Sequence, residues 1–333
     1  MDPRLRRTLE RWECTQPRPL GEDTGSRRSF RVDHPSLGTA LVLLYPAQRS
    51  GEDEDAYFEF RALHAYLDPV MRVPTIIQAC DEDRALLVED LGETTLEKRL
   101  VSHPEEEAQW ADQAGWLLGT WLGPLTPGAP GHAFFMGRSL DLPRMEFEWA
   151  HSRAHFFEAF LQKEPPRWLD RLMEEVHASL QGRARFLAHR EFHVRNLMVQ
   201  QDRLVMVDFQ DARCAAATYD LASILFDGYW DWSKEAGQRL MERVRRELGW
   251  SDGDLWEELS LSALQRNLRA LGSFGRQLTE CRNSQVAPAI PRTLRHLRGH
   301  FLRLRHGEGV LAAEHWLRLA EKRLWKHGGA APD

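Results

Sequence analysis

The stretch His189-Arg190-Glu191-Phe192-His193-Val194-Arg195-Asn196, followed by Val207-Asp208-Phe209-Gln210-Asp211, decides how this chain reads. Leu197-Met198-Val199 and Leu204-Val205-Met206-Val207 are short, apolar and β-prone. Gln200 to Arg203 between them is polar and turn-like, so the pattern predicts a β-hairpin. Asn196 precedes the first strand and Asp208 follows the second. Antiparallel pairing would bring these ends to about 5 Å between Cα atoms. An amide oxygen and a carboxylate at one end of a hairpin form a hard-oxygen site suited to Mg²⁺ carrying nucleotide phosphates. Taken singly, an Asn or an Asp at a strand end is more often a solvated polar residue.

The spacing adds to the pattern. Glu191 lies two residues after a histidine, Asn196 five after Glu191, and Asp208 twelve after Asn196. Kinase-type enzymes place a proton acceptor and two metal ligands in that order. The acid is the departure, being Glu where Asp is the rule. Glutamate adds one methylene, about 1.5 Å of reach, and a displacement near 1 Å can cost about 100-fold in rate. Three outcomes are open: a site adjusted to the longer acid, a slow enzyme, or a pseudokinase that binds ligand and acts through a partner. Intact Asn196 and Asp208 favour an active enzyme.

A chain of 333 residues is long enough for two lobes with their own cores. No apolar run approaches a membrane span, and the charged start, Met1 to Glu13, lacks the apolar centre of a signal peptide. Cys14, Cys80, Cys214 and Cys281 are scattered without a CxxC pair, which fits reduced thiols in a cytoplasm. A formal charge of -6 gives no reason to expect nucleic acid binding. The late cluster Arg292, Arg295, Arg298, Arg303 and Arg305 reads as the solvated face of a helix whose other face carries Leu294, Leu297, Phe301 and Leu304.

Residues 1 to about 90 read as a small α+β lobe. A charged helix (about 3–13) is followed by a hairpin of Ser29-Phe30-Arg31-Val32 and 39–45, a helix over 56–67 ended by Pro69, and a buried strand at 84–88. Composition then turns helical, with amphipathic helices over 110–121 and 145–161, a Pro/Gly loop at 124–131 and a last helix near 310–327.

A bound phosphate needs backbone N–H groups and positive charge. Gly25-Ser26-Arg27-Arg28-Ser29-Phe30-Arg31 lies where a phosphate-covering loop would lie, although it is not GxGxxG. No lysine precedes Lys98, so the strand at 39–45 lacks the lysine that protein kinases aim at the phosphates. If this lobe holds ATP, the 25–31 loop around Ser26, with Arg28 or Arg31, must supply the contacts. Glu59 on the next helix then reads as a surface residue. Glu89 to Gly92, including Leu91, can present backbone groups to an adenine.

With these residues in view, the chain resembles the aminoglycoside phosphotransferase and choline kinase superfamily, and within it the bacterial anomeric kinases of N-acetylmuramate and N-acetylglucosamine. The likeness is carried by Leu86-Leu87-Val88-Glu89-Asp90-Leu91-Gly92, residues 189–199, Val207 to Ala212, Thr218-Tyr219-Asp220-Leu221, Leu264-Gln265-Arg266-Asn267-Leu268 and Leu271-Gly272-Ser273-Phe274-Gly275-Arg276. The resemblance implies an α+β, protein-kinase-like two-lobe fold. A small N-terminal β-sheet lobe, 1–91, would bind nucleotide. A larger, mainly helical C-terminal lobe, 92–333, would carry catalysis and substrate. It also implies ATP and Mg²⁺, and no need of the strand lysine. Glu191 would accept or orient the hydroxyl proton, and Asn196 and Asp208 would bind Mg²⁺. Asp220 would brace the catalytic loop, a helix N-cap being its simpler role. His193, Arg195, Gln210 and Asp211 flank the site and are candidate sugar contacts. Arg195 could instead pair with Asp211 or another acid, and His189 reads as a loop-packing residue. The implied acceptor is the anomeric hydroxyl of a small-molecule sugar in cell-wall recycling, with neither nucleic acid nor membrane as partner. Another small hydroxyl compound (an aminoglycoside, choline or homoserine) is the alternative. A cationic acceptor would need acidic groups, for which Glu146, Glu148 and Asp211 stand out.

Overall fold

A computed structural model describes residues 2–20, 27–47, 55–121, 137–183, 186–250 and 252–326. Ser26, residues 51–54 of the acidic stretch Gly51 to Asp55, which reads as a loop, and the Pro/Gly loop at 124–131 lie outside the described residues. The chain divides into two compact units. One comprises Met1–Thr94 and Leu197–Gln210, the other Thr95–Asn196 and Asp211–Asp333.

The first unit is built on a five-stranded antiparallel sheet. In chain order its elements are α1 (Pro3–Arg11), β1 (Thr15–Pro19), β2 (Arg28–His34), β3 (Gly38–Leu44), α2 (Ala56–Leu67), β4 (Ile76–Cys80) and β5 (Ala85–Glu89), with sheet order β1-β2-β3-β5-β4. β5 and the second half of β3 are largely buried, and Val32, Ala40, Val42, Leu44 and Leu87 pack with Leu5, Leu9 and Trp12 of the N-terminal segment. The β2–β3 turn closes at His34↔Gly38, where Gly38 has φ +75°. Edge strands β1 and β4 were not expected from the sequence; β1 carries Pro17 and Pro19, which a sheet accepts only at an edge.

The Leu197–Gln200 and Arg203–Met206 strands pair as the expected hairpin, with Leu197↔Met206 in register. They group with the N-terminal residues and not with the helical part of the chain, for a packing reason. Met198 and Val205 bury against Leu91, Val199 N–H donates to Thr94 O at 2.9 Å, and Phe209 stacks on Phe60 with centroids 5.0 Å apart.

The second unit is mainly helical: α3 (Leu96–Ser102), α4 (Glu107–Trp121), α5 (Leu142–Ser152), α6 (Arg167–Gln181), α7 (Tyr219–Leu225), α8 (Lys234–Leu248), α9 (Asp252–Thr279), α10 (Ala289–Arg303) and α11 (Gly307–Lys326). The single helix expected over 145–161 changes character at its middle, because Arg153–Leu161 is π-helical. The change occurs where α9 presses against it. A Cβ on Gly272 would lie 2.7 Å from Ser152 Cα, and one on Gly275 2.5 Å from His155 O. Only hydrogen fits at either position. Gly275→Ala is therefore expected to destabilise the protein by about 1–3 kcal/mol, read as a lower urea midpoint at unchanged slope. An unchanged midpoint would mean that the two helices separate at little cost. The crossing sets α5, which carries Glu148, against α9, which carries Gln265, Arg266 and Arg269.

Candidate active site

In the second unit, the short pair Phe186–Ala188 and Arg213–Ala215 delivers the chain into the 189–196 loop. Asp220, fully buried in the first turn of α7, accepts the backbone N–H of His189 at 2.5 Å and of Arg190 at 2.8 Å. Thr218 holds the N-cap position. Burial pushes the Asp220 carboxyl up to about 7, against the pull of those two N–H groups and the Arg190 charge. A second brace was not read from the sequence. Asp227, also fully buried, accepts the Val194 N–H at 3.0 Å and the Tyr229 N–H at 2.8 Å. His189 is buried between Trp121 and Phe192, and its Nδ1 accepts the Glu191 N–H at 3.2 Å.

Glu191 emerges from this braced loop with its side chain 26% exposed. Its Oε1 meets Arg269 Nη1 at 2.6 Å, and its Oε2 lies 3.4 Å from His193 Nε2 and 4.0 Å from Arg266 Nη2. Burial alone would raise its pKa, but Arg269, His193 and Arg266 outweigh burial and hold the carboxyl well below its ordinary range. Glu191 is therefore ionised at neutral pH. Asn196 donates Nδ2–H to the Glu191 carbonyl at 3.0 Å, which leaves its amide oxygen as the group available to a cation.

Of the alternatives open for Arg195 (a sugar contact, Asp211 or another acid), the structure shows the last: it pairs bidentately with Glu97 at 2.7 and 2.8 Å and lies 3.8 Å over the Tyr229 ring. Glu97 reaches it because α3 begins where its N–H meets Val194 O. Asp211 offers its carbonyl to Arg190 at 3.4 Å. Glu148, a candidate for a cationic acceptor, is not available for that role. It is 5% exposed, paired with Arg190, 3.5 Å from Arg269 Nε, and accepts from Gln265 Nε2 at 3.0 Å. Glu146 is exposed.

In the first unit, Asp208 lies two residues past the hairpin, with φ +66°, a left-handed conformation that Asp tolerates better than most residues. Its Oδ1 accepts from Gln210 Nε2 at 2.7 Å, and Arg27 Nη2 lies 3.4 Å from the same oxygen. Arg27 also reaches Gln210 Oε1 at 3.4 Å. Gln210 is thus held by the candidate metal ligand. The two arginines expected to serve phosphate are engaged elsewhere. Arg28 pairs with Asp2, while Arg31 is bound to Asp90 (2.7 Å), Glu93 and Gly92 O. Arg27, passed over in the sequence, is the arginine beside Asp208. Glu89 also has a structural part: it pairs with Arg72 and accepts the Thr75 N–H at 3.1 Å. Leu91 is buried. Glu59 is half-buried on α2, where a surface residue was expected.

The phosphotransferase enzyme family matches residues 17–261 of the chain, well over half its length. The chain belongs to this family. It is a phosphotransferase with a hydroxyl group as acceptor. Among curated relatives, an N-acetylmuramate/N-acetylglucosamine kinase of Neisseria meningitidis serogroup B is 28% identical over 292 residues, covering 83% of each chain. A kinase of the same name from Pseudomonas aeruginosa is 26% identical over 138 residues, 39% of this chain and 40% of the relative. The fold is shared with solved structures: a choline kinase from Cryptosporidium parvum Iowa II (TM-score 0.57, 14% identity, 91% of this chain and 93% of the other) and an ADP-bound aminoglycoside phosphotransferase (TM-score 0.57, 12% identity, 88% and 97%). This phosphotransferase therefore has the protein-kinase-like α+β fold expected from its sequence.

Proposed function

We propose that the chain is a Mg·ATP-dependent sugar kinase acting on the anomeric hydroxyl of N-acetylmuramate, N-acetylglucosamine or a closely related sugar. One observation carries the choice of sugar: the likeness to a kinase named for these two sugars extends over 83% of both chains. The donor set suits Mg²⁺, being a carboxylate (Asp208) and an amide oxygen (Asn196) that the chain places directly before and two residues after one hairpin. When bound, Mg²⁺ supplies charge neutralisation for the phosphates.

The chain's own residues do the rest. The Asp220 and Asp227 carboxylates fix the loop backbone, so Glu191 is presented on a rigid support. Phosphoryl transfer depends chiefly on positioning. A carboxylate of low basicity fits that demand: Glu191 would accept the hydrogen bond of the acceptor hydroxyl, aim its lone pair at the γ-phosphate, and take the proton late. His193, 3.4 Å from Glu191, is the neighbour best placed to touch the same acceptor.

Arg27 fills the role of the missing strand lysine in this reading. A charge-assisted hydrogen bond is worth about 1.5–3 kcal/mol. Arg27→Met is accordingly expected to weaken Mg·ATP binding about 10- to 100-fold by calorimetry, with the acceptor KM little changed. Wild-type affinity in that variant would show that the phosphate charge comes from elsewhere.

The test of the function is a coupled ADP-release assay with Mg·ATP across a panel of amino sugars, neutral sugars, aminoglycosides and amino alcohols, with phosphorus NMR of the product. The reading expects turnover with the N-acetylated sugars and a sugar 1-phosphate. Turnover restricted to amino alcohols or aminoglycosides, or a phosphate on another carbon, would overturn it.

A further inference from the structure

The longer acid at position 191 has a partner at its far end. We propose that Arg269 is the positioning residue of the catalytic loop, using the extra methylene of Glu191 to fix its carboxylate against α9, with Glu148 fixing Arg269 in turn. This deepens the kinase reading and rests on it.

The contacts form a chain of alternating charge within the second unit. Arg190 and Arg269 both approach Glu148 Oε1, and Arg269 passes on to Glu191 Oε1 at 2.6 Å. Gln265 Nε2 holds the other Glu148 oxygen at 3.0 Å, so that carboxylate is fixed from both sides. Arg266, 2% exposed and anchored by its Nε to Ser223 Oγ at 3.1 Å, lies behind the second Glu191 oxygen at 4.0 Å. Three elements therefore converge: α5 with Glu148, α9 with three polar side chains, and the loop with Arg190 and Glu191.

Two physical points favour positioning over a plain stabilising pair. Buried charge networks are weak contributors to net stability, because desolvation offsets their attraction, and they are best explained by the geometry they impose. Phosphoryl transfer in turn rewards geometry. An aspartate at 191 would fall about 1.5 Å short of the guanidinium, so Glu191 and Arg269 make sense only as a pair.

The experiment is a double-mutant cycle on the full chain with Arg269→Met, Arg269→Lys, Glu191→Gln and the Arg269→Met/Glu191→Gln double variant. Measured are kcat, the KM for Mg·ATP, the KM for the sugar, and the urea midpoint of each. Arg269→Met should lower kcat about 100-fold with both KM values within about threefold, and Arg269→Lys should recover part of the loss. In the double variant kcat should equal that of Glu191→Gln alone, because a residue acting through Glu191 has nothing left to position. Wild-type kcat in Arg269→Met, losses that multiply in the double variant, or an effect confined to the sugar KM would overturn the proposal. If the wild-type chain turns over no acceptor, the sugar-kinase reading fails first. The urea midpoints still decide whether Arg269 and Glu191 are coupled, since additive shifts in the double variant would overturn the pairing without any assay of turnover.

Discussion

Asp208→Asn is expected to abolish turnover, lowering kcat at least about 1,000-fold while leaving the protein folded. The size follows from the proposed role, because a metal-clamp interaction supplies several kcal/mol of transition-state stabilisation and about 4 kcal/mol corresponds to 1,000-fold. The retained fold follows from the surroundings. Position 208 has φ +66°, which Asn tolerates as well as Asp, and an amide oxygen still accepts from Gln210 Nε2. The side chain is more than a third exposed, so loss of the Arg27 contact costs little stability. The unfolding free energy should stay within about 0.5 kcal/mol of wild type in a urea titration. Activity above one tenth of wild type would mean that Asp208 is not a metal ligand.

Glu191→Asp is expected to slow the enzyme about 100-fold, although it restores the acid usual for kinases. The retracted carboxylate would lie about 1.5 Å from where Arg269 now holds it, and such a displacement costs about that much in rate. It would also leave the Arg269 and Arg266 charges poorly paired, at about 2 kcal/mol of stability, less than for a fully buried pair because Glu191 is 26% exposed. Both numbers are measurable on one preparation, by steady-state kinetics and urea unfolding. A rate above wild type would mean that the longer acid is a handicap and that the site has not adjusted to it.

Periodicity made the fold's framework legible. The helix read over 56–67 is Ala56–Leu67, and the expected hairpin forms, with Gln200 and Arg203 drawn from the expected turn into the strands, because apolar spacing and turn chemistry agree there. The edge strands were not legible: Pro17 and Pro19 break any strand pattern in Thr15–Pro19, and only pairing with β2 makes it a strand. The π-helical turns after Ser152 were hidden for a related reason, since they answer to the glycines of α9, more than a hundred residues later.

For the site, the order of Glu191, Asn196 and Asp208 could be read locally, whereas their partners could not. Arg27, Arg28 and Arg31 look alike in sequence. Asp2 and the Asp90/Glu93 pair engage the latter two, and Arg27 alone of the three reaches Asp208. Glu148 looked like an acid for a cationic ligand until three arginines and Gln265 surrounded it. One signal was available. Gln265, Arg266 and Arg269 recur at helical spacing among buried leucines, and polar groups on a buried helix face require partners.

The most direct test of the account is metal binding with nucleotide. Mn²⁺ can replace Mg²⁺, and electron paramagnetic resonance counts the Mn²⁺ bound in the presence of ADP. The account predicts one Mn²⁺ per wild-type chain with ADP, and binding at least about 10-fold weaker in both Asn196→Ala and Asp208→Asn. Wild-type Mn²⁺ binding in either variant would contradict it.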